Sequence, residues 1–179
     1  MQKTPSKSHN TRLQLKQSVA HLEYITHLFN MFAAYCGSLP VTLKSIDKKK
    51  VNALVYTSIK FQTLSLPCFN IYREMFYDVK GTKRVPLNIS ETFTAVSLAY
   101  WFMDDGYKSG VGHYICTDSF SDKDLNLLLD MLRTKFGVKC SSHKTTNGPR
   151  IYIKKVSSAK FINLVKPFMV PSFYYKLQE

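Results

Sequence analysis

The chain has 179 residues, 45% of them hydrophobic, and carries 25 Lys plus Arg against 12 Asp plus Glu, a formal net charge of +13. Its apolar runs are too short to cross a bilayer, and no charged start, apolar stretch and small-residue cleavage site mark a secretory signal. Membrane and secreted classes are therefore not expected, and the basic excess points to a polyanionic partner rather than a small-molecule substrate.

The length suits one medium domain or two fused small halves. From Met131 to Gln178 there is no acidic residue, whereas ten Lys and Arg fall in that window. A merely solvated surface usually mixes both signs, so this composition favours phosphate binding. Cys36, Cys68, Cys116 and Cys140 are scattered without metal or redox spacing and are expected to be reduced thiols. The five histidines show no ligand spacing either and read as ordinary polar residues.

Met1 to Asn10 is polar and acid-poor, a loose start rather than a transit peptide. Arg12, Gln14 and Lys16 alternate with Leu13 and Leu15, predicting a strand over 11–17 with one basic, wet face. Val19, Leu22, Ile25, Leu28, Phe29, Phe32 and Cys36 recur at helical spacing, predicting a helix over 19–36 closed by Gly37. After Lys48-Lys49-Lys50, residues 51–64 read as a strand with Tyr56, Ser58, Lys60 and Gln62 on its polar face. Pro67 opens a second helix to about Tyr77, and a loop around Gly81 leads into Thr82-Lys83-Arg84-Val85-Pro86.

A long helix is expected from Glu91 or Thr92 to Asp105, closed by Gly106. A strand follows at 113–118, then a helix at 121–136 capped by Ser121, strands at 138–144 and 150–156 around a turn at Asn147-Gly148-Pro149, and a helix at 158–169. Arg150, Tyr152 and Lys154 alternate with Ile151 and Ile153, so this sheet also presents basic and aromatic groups outward. The order of elements after Thr11 recurs after Tyr107, which suggests an internal duplication.

One segment needs chemistry beyond packing. The apolar run Leu98-Ala99-Tyr100-Trp101-Phe102-Met103 ends in Asp104-Asp105-Gly106. A helix C-terminus carries partial negative charge, so carboxylates there cost roughly 0.3–1 kcal/mol each unless a cation compensates, and a divalent metal is the economical candidate. Ala95 and Ala99, four residues apart, form a small-residue stripe suited to close helix pairing.

Ser97 to Gly106 resembles the signature of the LAGLIDADG homing endonucleases, in the variant carried by two-repeat mitochondrial intron enzymes. Thr82 to Pro86, Cys116 to Phe120 and Ile162 to Leu177 look like segments of the same family. The resemblance implies an α+β fold of duplicated αββαββα repeats whose saddle-shaped antiparallel sheets sit on double-stranded DNA. It implies Mg²⁺, or another divalent cation, on Asp105 with Asp104 in a less critical position, and active-site lysines at Lys83 and Lys176. The sheet faces then supply candidate base or phosphate contacts from Arg12, Gln14, Lys16, Lys60, Gln62, Lys139, His143, Arg150, Tyr152 and Lys154.

Two departures qualify it. Tyr100 replaces the glycine usual at the third signature position, and the chain carries one signature instead of two. Residues 1–90 are thus expected to be a first repeat lacking its N-terminal motif helix, and 91–179 a complete second repeat, as in a fragment or a decayed copy. A full-length form is expected to be monomeric. A truncated one would expose helix 92–105 and self-associate, and one carboxylate set does not complete a paired-metal arrangement, so catalysis by an isolated monomer is not expected.

The leading expectation is a site-specific, mitochondrial, intron-homing DNA endonuclease. The alternatives are an intron RNA maturase on the same scaffold and a non-catalytic DNA-binding remnant.

Overall fold

Thr94 starts the principal helix. Its Oγ1 accepts from the Ser97 N–H at 3.3 Å while Ser97 Oγ accepts from the Thr94 N–H at 3.2 Å, a reciprocal cap that satisfies two donors at the helix end. This structure, a computed structural model, describes residues 1–3, 10–47 and 54–178. They divide into two compact units, Met1–Glu74 and Met75–Glu179.

In the first unit a short ribbon pairs β1 (Gln2–Lys3) with β2 (Thr11–Arg12). Three further strands, β3 (Gln14–Ser18), β4 (Val41–Asp47) and β5 (Leu54–Gln62), form an antiparallel sheet in the order β3-β5-β4. Helix α1 (Leu22–Phe32) covers one face through Tyr24, Ile25 and Leu28, with Phe29 edge-on to Phe61 at 5.5 Å. Helix α2 (Asn70–Phe76) follows a turn opened by Pro67.

The second unit contains α3 (Ile89–Thr92), α4 (Ala95–Asp105), β6 (Gly106–Ser109), β7 (Gly112–Cys116), α5 (Asp122–Thr134), β8 (Cys140–Thr145), β9 (Gly148–Ile153) and α6 (Lys155–Val165). Its antiparallel sheet runs β6-β7-β9-β8. Ile115, Ile151 and Ile153 point from it into a core shared with Leu98, Ala99, Phe102 and Met103 of α4, Leu128 and Leu132 of α5, and Phe161 and Val165 of α6. The fold is α+β with antiparallel sheets, consistent with two repeats.

Several expected boundaries move. The 11–17 strand breaks at Leu13, whose N–H turns to Thr63 Oγ1 at 3.1 Å. The 19–36 helix is α-helical only over Leu22–Phe32, with tighter 3-10 turns at both ends, and Gly37 lies beyond an already extended Cys36. The long helix is interrupted at Phe93, where the backbone extends so that the ring packs edge-on to Trp101 and Phe136. Strands β4 and β6 were not located in the sequence, and the last helix runs over Lys155–Val165 rather than 158–169. The lysine run 48–50, the start of the 51–64 strand and most of the polar N-terminus lie outside the described residues.

Among the described residues no helix is long and apolar enough to cross a membrane. The four cysteines form no disulfide. His113 departs from the expectation of an ordinary polar residue: it is fully buried between Phe102 and Phe161, with Ser158 Oγ at 3.2 Å from Nδ1.

Candidate functional site

Asp105 ends α4, and Gly106 leads directly into β6. The glycine is required by space rather than by φ, which is −91°: a Cβ there would stand 2.1 Å from Phe102 Cδ2 and 2.5 Å from the Phe102 carbonyl oxygen. The helix can therefore turn into the sheet within one residue, which fixes the two carboxylates at the sheet's edge. β6 pairs Gly106 with Ile115, so one further step of the register sets Asp105 beside Cys116 and the Thr117-Asp118 corner.

Both expected lysines meet this cluster. Lys176, in the 3-10 turn Pro171–Lys176, donates its ammonium to the Met103 carbonyl at 2.5 Å, and both Asp104 and Asp105 attract it. Burial nevertheless lowers its pKa below the usual lysine value. Lys83 lies in the loop before α3, bridged to Tyr77, with its ammonium 6.0 Å from the Phe120 ring centroid. Desolvation raises the Asp105 pKa, Lys83 and Lys176 pull it back, and Asp118 pushes it up. Solvent reaches Asp104 and Asp105. A cleft of about 650 Å³ begins at the next residue, lined by Gly106, Tyr107, Lys108 and Lys176.

The solvent face of the second sheet carries a row of rings. Tyr107 stacks on Tyr114 at 5.3 Å, Tyr114 lies 4.8 Å from Tyr152, and Tyr152 stacks on His143 at 4.5 Å. The Tyr114 hydroxyl is 3.1 Å from His143 Nδ1. Arg150 shares this face, in an ion pair with Asp118. That pair holds the Asp118 carboxyl below the usual carboxylate range and raises Arg150 further above its already high value. Lys139 and Lys154 are exposed just outside the strands, joined by a backbone bond from the Lys154 N–H to the Lys139 carbonyl.

On the first sheet Gln14 lies opposite Gln62 and Lys16 opposite Lys60, all on the face away from buried Phe61 and Ile59. Arg12 sits in β2, opposite Gln2. The expected residues thus gather as Asp104, Asp105, Lys83 and Lys176 around the end of α4 and as polar rows on two sheet faces. Asp118, Tyr107 and Tyr114 were assigned no role from sequence. Alternation in β7 could have revealed Tyr114, but the Asp118 contact spans 32 positions and has no local signal.

A profile of the LAGLIDADG DNA endonuclease family matches residues 1–161. The cytochrome b mRNA maturase bI2 of Debaryomyces hansenii is 31% identical over 93% of this chain and 64% of its own length. The maturase bI2 of Saccharomyces cerevisiae is 32% identical over 93% of this chain and 41% of its own. This chain therefore spans less than two thirds of either. The intron-encoded endonuclease ai4 of Dictyostelium discoideum is 36% identical over 80% of this chain and 92% of its own length. The solved structure of the homing endonuclease I-WcaI bound to its DNA recognition sequence superposes with a TM-score of 0.88 at 27% identity, covering 98% of this chain and 79% of that one. The chain belongs to the LAGLIDADG DNA endonuclease family.

Proposed function

We propose that this protein binds double-stranded DNA and cuts it at one site by phosphodiester hydrolysis, as an intron-homing endonuclease of mitochondria. The observation that carries the reading is Asp105, held at the sheet's edge by the helix end and flanked electrostatically by Lys83 and Lys176. Division into a first repeat at 1–90 and a second at 91–179 belongs to the same proposal, as does self-association through α4 (Ala95–Asp105) wherever that helix has no second signature helix to pack against.

A divalent cation such as Mg²⁺ suits these donors. Asp105 and Asp104 offer hard carboxylate oxygens, and no cluster of three or more ligating side chains is found among the described residues, so water and DNA phosphate would complete the shell. When bound, such an ion activates water and neutralises charge on the leaving oxygen. Lys176, anchored on the Met103 carbonyl, and Lys83 present fixed positive charge to the scissile phosphate. The sheet residues Arg12, Gln14, Lys16, Lys60, Gln62, Lys139, His143, Arg150, Tyr152 and Lys154 bind and register the duplex.

The test is incubation of the chain, self-associated or extended to carry a second signature helix, with Mg²⁺ and duplexes spanning the intron insertion site. Double-strand cleavage is expected, abolished by Asp105→Asn with DNA binding retained, and unchanged cutting by that variant overturns the assignment. The maturase names of two relatives favour a second reading, stabilisation of folded intron RNA. Tight intron-RNA binding that tolerates Asp105→Asn, without metal-dependent cutting, supports it. Duplex binding without any cutting supports a DNA-binding remnant.

A further inference from the structure

Arg150 is held on three sides before any partner arrives. Its Nε and Nη2 donate to Asp118 Oδ1 and Oδ2 at 2.9 and 3.1 Å, and Nη1 donates to the Tyr107 hydroxyl at 3.0 Å. The guanidinium carbon lies 5.6 Å from the Tyr107 ring centroid. A guanidinium carries five N–H donors, so these three bonds leave one N–H on each terminal nitrogen. The side chains of Arg150 and Asp118 are 20% and 31% exposed, so the pair remains reachable.

Asp118 is fixed in turn. The Thr117 hydroxyl donates to the Pro149 carbonyl at 2.6 Å, and Gly148, at φ +129°, approaches so closely that a Cβ would stand 2.6 Å from the Asp118 carbonyl oxygen. Residues 117–118 and 148–150 thus form one closely packed corner, from which the Asp118 and Arg150 side chains meet.

We propose that Arg150 is a pre-oriented reader of one guanine in the major groove of a duplex target, with Asp118 and Tyr107 as the positioning residues that aim it. The inference rests on the duplex-DNA reading above. Guanine presents two neighbouring acceptors, O6 and N7, and a fork with one N–H on each terminal nitrogen matches them. A carboxylate already paired with the guanidinium offsets its charge and repels an approaching phosphate, but leaves directional bonds to a neutral base intact. The side chain has also lost its rotamer freedom before binding, which favours discrimination over loose attachment.

The experiment selects bound duplexes from a randomised double-stranded pool with the wild-type chain and with Arg150→Ala, Arg150→Lys, Asp118→Asn and Tyr107→Phe. The wild type is expected to enrich a motif with a required guanine. Arg150→Ala and Arg150→Lys lose preference at that position alone by about tenfold to a hundredfold. Asp118→Asn and Tyr107→Phe weaken the same position and no other. Thermal melting confirms folding, and Tyr107→Phe, which keeps its ring, serves if the ion-pair variants fail to fold. A motif identical in all variants overturns the proposal, as does a uniform loss of affinity with the salt slope reduced by about one, the signature of a phosphate contact. A wild-type chain that enriches no duplex sequence overturns the duplex reading as well, which separates the two failures.

Discussion

Lys176 donates to the carbonyl of Met103, so a cation at the acidic end of α4 is supplied by the chain itself. The same ammonium is attracted by Asp104 and Asp105 and answers the charge that helix polarity places there. Lys176→Met should therefore lower stability by about 1–2 kcal/mol in urea unfolding, through a lost charge-assisted bond and the loss of one cation that attracts both carboxylates. Adding Asp105→Asn to Lys176→Met should recover part of that loss. Strict additivity in the double-mutant cycle would show that lysine and carboxylate do not interact.

Gly106→Ala tests the abrupt passage from α4 to β6. The ring of Phe102 could rotate away from a new Cβ, but the Phe102 carbonyl is held within the helix, whose Gly106 N–H bonds to it. A destabilisation of about 1–3 kcal/mol is expected, together with loss of cleavage as Asp105 shifts. Because backbone is one of the two obstacles, Phe102→Leu should rescue stability only in part. Complete rescue in denaturant titrations would place the whole conflict in the ring.

Much of this arrangement was legible where burial imposes a period. Ile151 and Ile153 are fully buried and alternate with the more exposed Arg150 and Tyr152, and Ser121 caps α5 by accepting from the Asp124 N–H at 3.2 Å. β4 was not legible because residues 41–46 are exposed on both faces, so no core selects an alternation there. β6 was hidden by its first residue, since Gly106 reads equally well as a helix cap. The break at Phe93 reflects a ring contact with Phe136, 43 positions away, that overrides local helix preference. The gathering of Asp105, Lys83 and Lys176 was expected only through family resemblance, because no periodicity within one element links positions so far apart.

His113 should make stability depend on pH. Burial lowers its pKa below the ordinary imidazole value and Lys108 pushes in the same direction, while the Leu177 backbone opposes them. The unfolded chain therefore binds a proton more readily than the folded one. Stability contributed by the neutral ring is complete above about pH 6.5, and it is lost as pH falls below that value towards the folded-state pKa. Melting temperatures of the wild type should fall more steeply over this acidic window than those of His113→Gln. Parallel profiles would show that the buried ring does not carry the dependence.

Lys16 faces Lys60 directly across the β3–β5 pair, flanked by Gln14 opposite Gln62. Like charges in register on one sheet face destabilise the free protein by about 0.2–1 kcal/mol, so the pair makes physical sense where a phosphate lies between the two ammonium groups. Lys16→Gln should therefore stabilise the free protein by about that amount while weakening duplex binding and reducing its salt slope by about one. Lys60→Gln added to Lys16→Gln should bring no comparable gain in stability, because the repulsion is already gone, yet it should reduce the salt slope again. Opposite signs for stability and affinity would assign the pair to the polyanion, whereas a destabilised Lys16→Gln with an unchanged salt slope would make it part of the sheet's own packing.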